Sequence, residues 1–319
     1  MKNQINSVQA YEKIRPFVLE TPLINSLEIS DICQTDVFLK CEHLQYTGSF
    51  KLRGATNKIL SLSESQKKEG VISASTGNHG QGIALAAGKL NVPAVIYTPS
   101  DASPVKLKAI KKLGASVKQV QGGCGEAEDT ARKIAEEQGI TYISPYNDPD
   151  IIAGQGTIGV ELSRQLPELD AVFISVGGGG LISGIGNYLK QFNPKIKIIG
   201  CWPENSAVMY ESLKAGLIIE APEKPTISDG TAGPVEFGSI TFPICANVIN
   251  QQVLLTETEI KKAMRLLAES DRFIVEGAAG VALAGLLKLK DAFKHQKVAV
   301  VLCGRNILFE KYLEIMNQV

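Results

Sequence analysis

The sequence predicts an α/β protein built on parallel sheets flanked by helices, and three observations carry that prediction. From residue 70 onward, short β-branched runs alternate with segments of helical period, the pattern of repeated strand-helix-strand units. The intervening helices are of two kinds, one charged and amphipathic, the other small and apolar, as expected for a sheet with both wet and buried neighbours. The 319 residues are 44% hydrophobic, enough to bury a core in one large or two medium domains.

The strands so assigned begin with "GVISAS" (70–75), "VPAVIYTP" (92–99), "ASVKQVQ" (115–121) and "ITYISP" (140–145). They continue with "AVFISV" (171–176), "IKIIGCW" (196–202) and "KVAVVLC" (297–303). Between them, "SPVKLKAIKKLG" and "EAEDTARKIAEEQG" are helices that face water, whereas "GQGIALAAGKL" and "GGLISGIGNYL" are helices expected to pack closely against sheet. The stretch 211–243 is irregular and rich in Gly, Pro and Thr, and a loop of that length inside a compact chain is more often functional than accidental.

Composition excludes several classes of partner. Lys plus Arg number 33 and Asp plus Glu number 33, so no basic field marks the chain as a binder of nucleic acid or anionic membrane. Small neutral or zwitterionic partners fit better. The six cysteines are scattered without a C-x-x-C pair, which suits reduced thiols in a cytoplasm. The N-terminus lacks the apolar core of a signal peptide and no run of about 18 apolar residues occurs, so neither export nor a membrane span is expected.

In open α/β sheets ligands bind beyond the carboxyl ends of the strands. After "AVFISV" come Gly177, Gly178, Gly179 and Gly180, whose amides could turn toward one point at a helix N-terminus and cradle a phosphate. A tight strand-to-helix turn is the plainer reading, although four adjacent glycines cost much chain entropy. No G-x-G-x-x-G fits, because position 183 is Ser, and no Gly-Lys-Ser/Thr follows. After "GVISAS", the run Thr76, Gly77, Asn78, His79 offers hydroxyl, amide and backbone donors suited to a carboxylate. Asn78 as a plain N-cap and His79 as a core histidine remain open alternatives. Cys303 stands at the end of a third strand, where a lone cysteine is usually a small buried hydrophobe. Lys51, set between Phe50 and Leu52, reads equally as a snorkelling surface cation. There is no G-x-S-x-G or H-E-x-x-H, and three histidines in all make a histidine-rich metal site a poor fit.

A phosphate cradle, a carboxylate site and an apolar-flanked lysine are together the parts of a pyridoxal-phosphate enzyme, whose lysine holds the cofactor as a Schiff base. The motifs "TGSFKLRGA", "STGNHGQG", "IAGQGT", "SVGGGGLISG" and "LCGRN", in this order and spacing, resemble fold-type II serine/threonine dehydratases and serine racemases. The likeness runs from about residue 15 to the C-terminus. It implies a tryptophan-synthase-β-like fold with a large cofactor domain (1–52 and 148–319) and a small inserted α/β domain (53–147). It also implies a homodimer, pyridoxal 5'-phosphate as cofactor and a small amino acid as substrate.

Carried over residue by residue, the resemblance makes Lys51 the cofactor-holding lysine and the general base, with Phe50 beside it. Asn78 matches the residue that hydrogen-bonds the pyridine 3-oxygen, and Gly177 to Gly180 with Leu181 match the phosphate loop. Ser75, Thr76, Gly77, Asn78 and His79 match the substrate-carboxylate binder. Cys303 takes the Ser-or-Cys place facing the pyridine nitrogen, while Glu276 matches an acid beside the cofactor and Asp229 and Gly230 are expected to neighbour it. A thiol does not keep the ring nitrogen protonated as an aspartate would, so β-elimination of water is favoured over transamination.

The departures are informative. Racemases carry a serine opposite the lysine, and here that place is Thr76, which ranks racemisation below elimination. Trp202 and Val208 stand where cation-site acids would fall, leaving Glu204 alone, so no metal is expected. The stretch "ISDGTAGPVEFGSITF" looks more like dehydratases of the hydroxyectoine-utilisation type. Cysteine synthases, which perform β-replacement, have different surroundings around the lysine and the glycine loop. A non-catalytic ligand sensor would have lost the lysine.

Overall fold

The computed structural model describes residues 5–319. In chain order its strands are β1 (Leu23–Asn25), β2 (Asp36–Lys40), β3 (Val71–Ala74), β4 (Ala94–Pro99) and β5 (Ser116–Val120). They are followed by β6 (Thr141–Tyr142), β7 (Ala171–Ser175), β8 (Lys197–Pro203), β9 (Gln251–Leu255) and β10 (Lys297–Val301). Two sheets result, a six-stranded one in the order β1-β2-β10-β7-β8-β9 and a four-stranded one in the order β5-β4-β3-β6. Among the described residues, all strand pairings are parallel except β1 with β2. The α/β class and its parallel sheets are therefore as the sequence predicts.

Each strand assigned from sequence is present, and β1, β2 and β9 are additional. They are hard to see because β1 is a three-residue edge strand, β9 is an edge strand that opens with two glutamines, and β2 is "DVFLK", with a charge at each end; its Lys40 is nevertheless fully buried. The four-stranded sheet uses only residues 71–142, and its helices bury Ile83, Ile96 and Ile110 in a core separate from the one around the large sheet.

The small-residue helices do more than cover sheet. The Pro149–Gln165 helix lies between the Lys51–Ser61 and Gly180–Phe192 helices, and glycines set both approaches. A Cβ on Gly154 would come 2.6 Å from the Gly54 Cα, and one on Gly184 would come 2.4 Å from the Ile152 carbonyl. No side chain fits in either gap, so "IAGQGT" is a helix-crossing motif. It fixes the helix that starts at Lys51 and the helix that follows the four glycines on one common support. The 211–243 stretch is also partly regular: helices Val208–Ala215 and Thr241–Val248 bracket it, and only the residues between them lack helix or strand.

Candidate active site

Lys51 opens its helix at the mouth of β10. The Phe50 N–H donates to the Cys303 carbonyl at 3.1 Å, and Ser49 forms an isolated bridge with Gly304. The Lys51 Nζ donates to the Pro145 carbonyl at 2.8 Å and lies 5.2 Å from the centre of the Phe50 ring. Burial pushes its pKa down to about 8, against smaller opposing effects of Cys303 and Glu276. The reading of Lys51 as a free surface cation is thereby removed.

A stability consequence follows for the cofactor-free protein. Unfolded, Lys51 keeps its proton up to about pH 10.5, whereas folded it releases it near 8. The unfolded state binds more protons in that interval, so the Lys51 contribution to stability rises with pH from about 8 to 10.5. Urea midpoints of the apoprotein at pH 7.5 and 9.5 should show a gain that disappears in Lys51→Met.

The bend after β3 delivers the second group. Gly77 is the N-cap of the Asn78–Lys89 helix, so Asn78 does not cap it with its side chain. Instead Asn78 Nδ2 donates to Glu276 Oε1 at 2.7 Å, and its Oδ1 accepts from Asn306 Nδ2 at 2.6 Å. That leaves one amide hydrogen of Asn78 for a ligand. Ser75 Oγ accepts from the Gly77 N–H at 3.1 Å, which shapes the bend, and Thr76 lies half-buried within it. His79 departs from its expected role. Its ring is buried, with Nε2 3.2 Å from the Ile143 carbonyl, and burial followed by Lys51 pushes its pKa down to about 3. The ring is therefore a neutral core group, and only its backbone N–H at the helix start is available to a carboxylate.

The third group is the glycine loop. Gly179 adopts φ +85°, and a Cβ on Gly178 would sit 2.5 Å from the Tyr146 ring. Both positions therefore exclude side chains for geometric reasons. Among the described residues, the N–H groups of Gly178 to Leu181 have no hydrogen-bond acceptor within the chain. Gly177 packs on Thr231, and the Leu181 side chain belongs to the core, so Leu181 offers only its backbone.

Cys303 is buried on the neighbouring strand end and takes a hydrogen bond from Ser175 Oγ at 3.5 Å. Burial and then Glu276 push its pKa up to about 12, so the thiol stays neutral. Glu276 is buried too, held by Asn78 and by the Asn306 N–H at 3.0 Å. Burial pushes its carboxyl up to about 7 despite those donors. Gly230 approaches the same carboxylate, since its Cβ would be 3.4 Å from Glu276 Oε1. Asp229 points elsewhere, to Lys106 and Lys311 at 3.8 and 3.7 Å. In the 200–209 segment Trp202 and Val208 are buried apolar groups.

Several supporting residues were not foreseen. Asn306 lies in "LCGRN" yet was not singled out, and it ties Asn78, Glu276 and the Thr47 carbonyl together. More surprising is a sealed ionic cluster behind Lys51. Arg53, two residues on, donates to Glu42 at 2.8 and 2.9 Å and to Glu161 at 2.6 and 2.8 Å. Lys40 Nζ donates to Glu161 at 2.6 Å, and all four side chains are buried. Burial alone would raise the Glu42 carboxyl, but Arg53 and Lys40 outweigh it and hold it below the usual range. Charges spread over residues 40 to 161 give no linear pattern that would reveal such a cluster.

An enclosed lysine amine with a depressed pKa and a side-chain-free loop of unused N–H groups fit pyridoxal phosphate: the first can bond its aldehyde carbon, the second its phosphate. A family model described as "Pyridoxal-phosphate dependent enzyme" matches residues 14–304. The chain is 40% identical over 310 residues to L-threonine ammonia-lyase of Thermotoga maritima, covering 97% of this chain and 77% of that one. It is 37% identical over 310 residues to L-threo-3-hydroxyaspartate ammonia-lyase of a Pseudomonas species, covering 97% of each. The solved structure of maize serine racemase superposes with a TM-score of 0.92 at 32% identity, covering 98% of this chain and 96% of that one. With an enclosed lysine, a bare glycine loop and matches along nearly its whole length, the chain belongs to the pyridoxal-phosphate-dependent enzymes, in the serine/threonine dehydratase and serine racemase family.

Proposed function

We propose that the protein is a pyridoxal-phosphate-dependent ammonia-lyase that eliminates water from a β-hydroxy amino acid, giving a 2-oxo acid and ammonia. The observation that carries this reading is the Lys51 amine, hydrogen-bonded to Pro145 and held at a pKa of about 8. Near neutral pH such an amine has a usable free-base fraction, about a quarter at pH 7.5 against about 0.1% for an ordinary lysine. It can therefore take a proton from the substrate Cα and return one later.

The other residues divide the remaining tasks. The backbone donors of the bend from Ser75 to His79, with the free Asn78 amide hydrogen, receive the substrate carboxylate. The amides of Gly177 to Leu181 receive the phosphate. When bound, pyridoxal phosphate supplies the electron sink for the carbon acid. Cys303 stays a neutral thiol and so would not keep a cofactor ring nitrogen set against it cationic, which would favour expulsion of a β-leaving group over transamination. In this reading residues 53–147 form a small lobe that closes on the rest, excluding water during the reaction. The enzyme works in the cytoplasm as a homodimer; its six cysteines are all free, in keeping with a reducing compartment.

Threonine, serine and 3-hydroxyaspartate are the substrates to compare, since the first and last are named for the two relatives above. Release of 2-oxo acid from at least one of this panel is the expected result, and its absence from all of them, with cofactor bound, would sink the reading.

Racemisation is the second reading, favoured by one observation: Thr76 places a hydroxyl in the bend after β3. Its additional methyl group crowds that hydroxyl, so elimination is expected to outrun it. After partial turnover of L-serine, the remaining serine should stay predominantly L, and accumulation of D-serine would reverse the order.

A further inference from the structure

We infer that Tyr146 is a positioning residue that braces the glycine loop and thereby sets how tightly the cofactor phosphate is held. The inference rests on the reading of Gly177–Leu181 as the phosphate site.

Tyr146 lies in the segment that leaves β6 and enters the Pro149–Gln165 helix, where the chain passes from the small sheet back to the large one. Its ring covers the loop closely. A Cβ on Gly178 would be 2.5 to 2.6 Å from three ring atoms, and one on Gly180 would be 2.9 Å from the Tyr146 Cβ. From another direction Thr241 Oγ1 donates to the Gly178 carbonyl at 2.7 Å. Gly178 is thus fixed by a ring and by a hydroxyl, neither of them its own.

The brace is itself anchored. The Tyr146 hydroxyl accepts a hydrogen bond from the Glu236 N–H at 2.9 Å. Asn147, next in the chain, donates from Nδ2 to Glu236 at 2.6 Å and accepts from the Ile240 N–H at 3.0 Å. On the other side of Tyr146, the Pro145 carbonyl receives the Lys51 amine. One short segment therefore fixes both the loop and the partner of the lysine. Burial keeps the phenol neutral by raising its pKa.

The physical need is plain. A run of four glycines has more conformational freedom than any other tetrapeptide, and amides that must point at one ligand bind best when that freedom is already removed. An aromatic ring laid across the loop removes it without offering a side chain that competes for the N–H groups. The ring leaves Gly178 no room for a Cβ, and the Cβ and backbone of Tyr146 do the same for Gly180.

The experiment compares the affinity of the apoprotein for pyridoxal phosphate and for pyridoxal, which lacks the phosphate, by absorbance titration. Tyr146→Ala, Tyr146→Leu and Tyr146→Phe are set beside Gly178→Val, with far-UV circular dichroism as the check on folding. Tyr146→Ala should bind pyridoxal phosphate roughly tenfold more weakly or worse, while its affinity for pyridoxal changes by less than about twofold. Tyr146→Phe keeps the ring and should stay within about threefold of the parent on both. If Tyr146→Ala does not fold, Tyr146→Leu carries the comparison. Should Gly178→Val lose phosphate preference while the alanine and leucine variants keep it, the loop reading stands and the brace is wrong. If none of these variants alters the preference for the phosphorylated ligand, the loop is not the phosphate site and the inference falls with it.

Discussion

Lys51→Ala is expected to lower 2-oxo acid release by at least about a thousandfold and to abolish the visible absorbance of covalently held cofactor. The size follows from losing two functions at once. In the proposed function the same amine bonds the cofactor and serves as the base at the substrate Cα, and general-base catalysis alone contributes about a hundredfold to ten-thousandfold. Lys51→Arg should fail equally, since a guanidinium restores the positive charge but stays protonated and cannot form the bond. Retention of both the absorbance and the activity in either variant would show that another group holds the cofactor.

The second large effect is on stability. Glu161→Leu leaves Arg53 and Lys40 in a sealed interior with Glu42 as their remaining carboxylate. Breaking a buried ionic cluster by removing one partner costs about 3 to 5 kcal/mol, a large part of the roughly 5 to 15 kcal/mol that holds a typical domain together. The urea midpoint should fall accordingly or the chain should fail to fold. The exposed Lys133–Glu137 pair, with N and O 3.9 Å apart, is the contrast, and Lys133→Ala should change stability by no more than about 0.5 kcal/mol. A Glu161→Leu midpoint within experimental error of the parent would show the cluster to be dispensable. Because Arg53 sits two residues after Lys51 on the same helix, the cluster also anchors the first turn of that helix.

Much of the architecture was legible because it is written in local periodicity. β-Branched runs such as "AVFISV" and helical repeats such as "EAEDTARKIAEEQG" appear in the structure where they were assigned. Strand β1 escaped because it has three residues, β9 because it opens with two glutamines, and β2 because it ends in charges, of which Lys40 is neutralised by a buried salt bridge. At the site the four glycines stood out as residues, whereas Lys51, Asn78 and Cys303, each with an ordinary reading of its own, were singled out by the order and spacing of the motifs that contain them. For His79 the sequence left two readings open, a substrate contact and a core histidine, and the ring takes the second. Residue type suggested a ligand for the substrate, but only the fold could reveal that the Ile143 carbonyl already occupies its ring.

By itself, the sequence determined the fold class and the cofactor, and it singled out Lys51 as the lysine to test, since these depend on residue types at short spacings. Tertiary structure alone decided which charges are buried together, which ring lies over the glycine loop and which carbonyl receives the lysine amine. Those contacts join residue 53 with 42 and 161, residue 146 with 178 and residue 51 with 145. No local pattern encodes such pairings, because they arise only when distant segments are packed against one another. The depressed pKa of Lys51 belongs with them, as it comes first from burial.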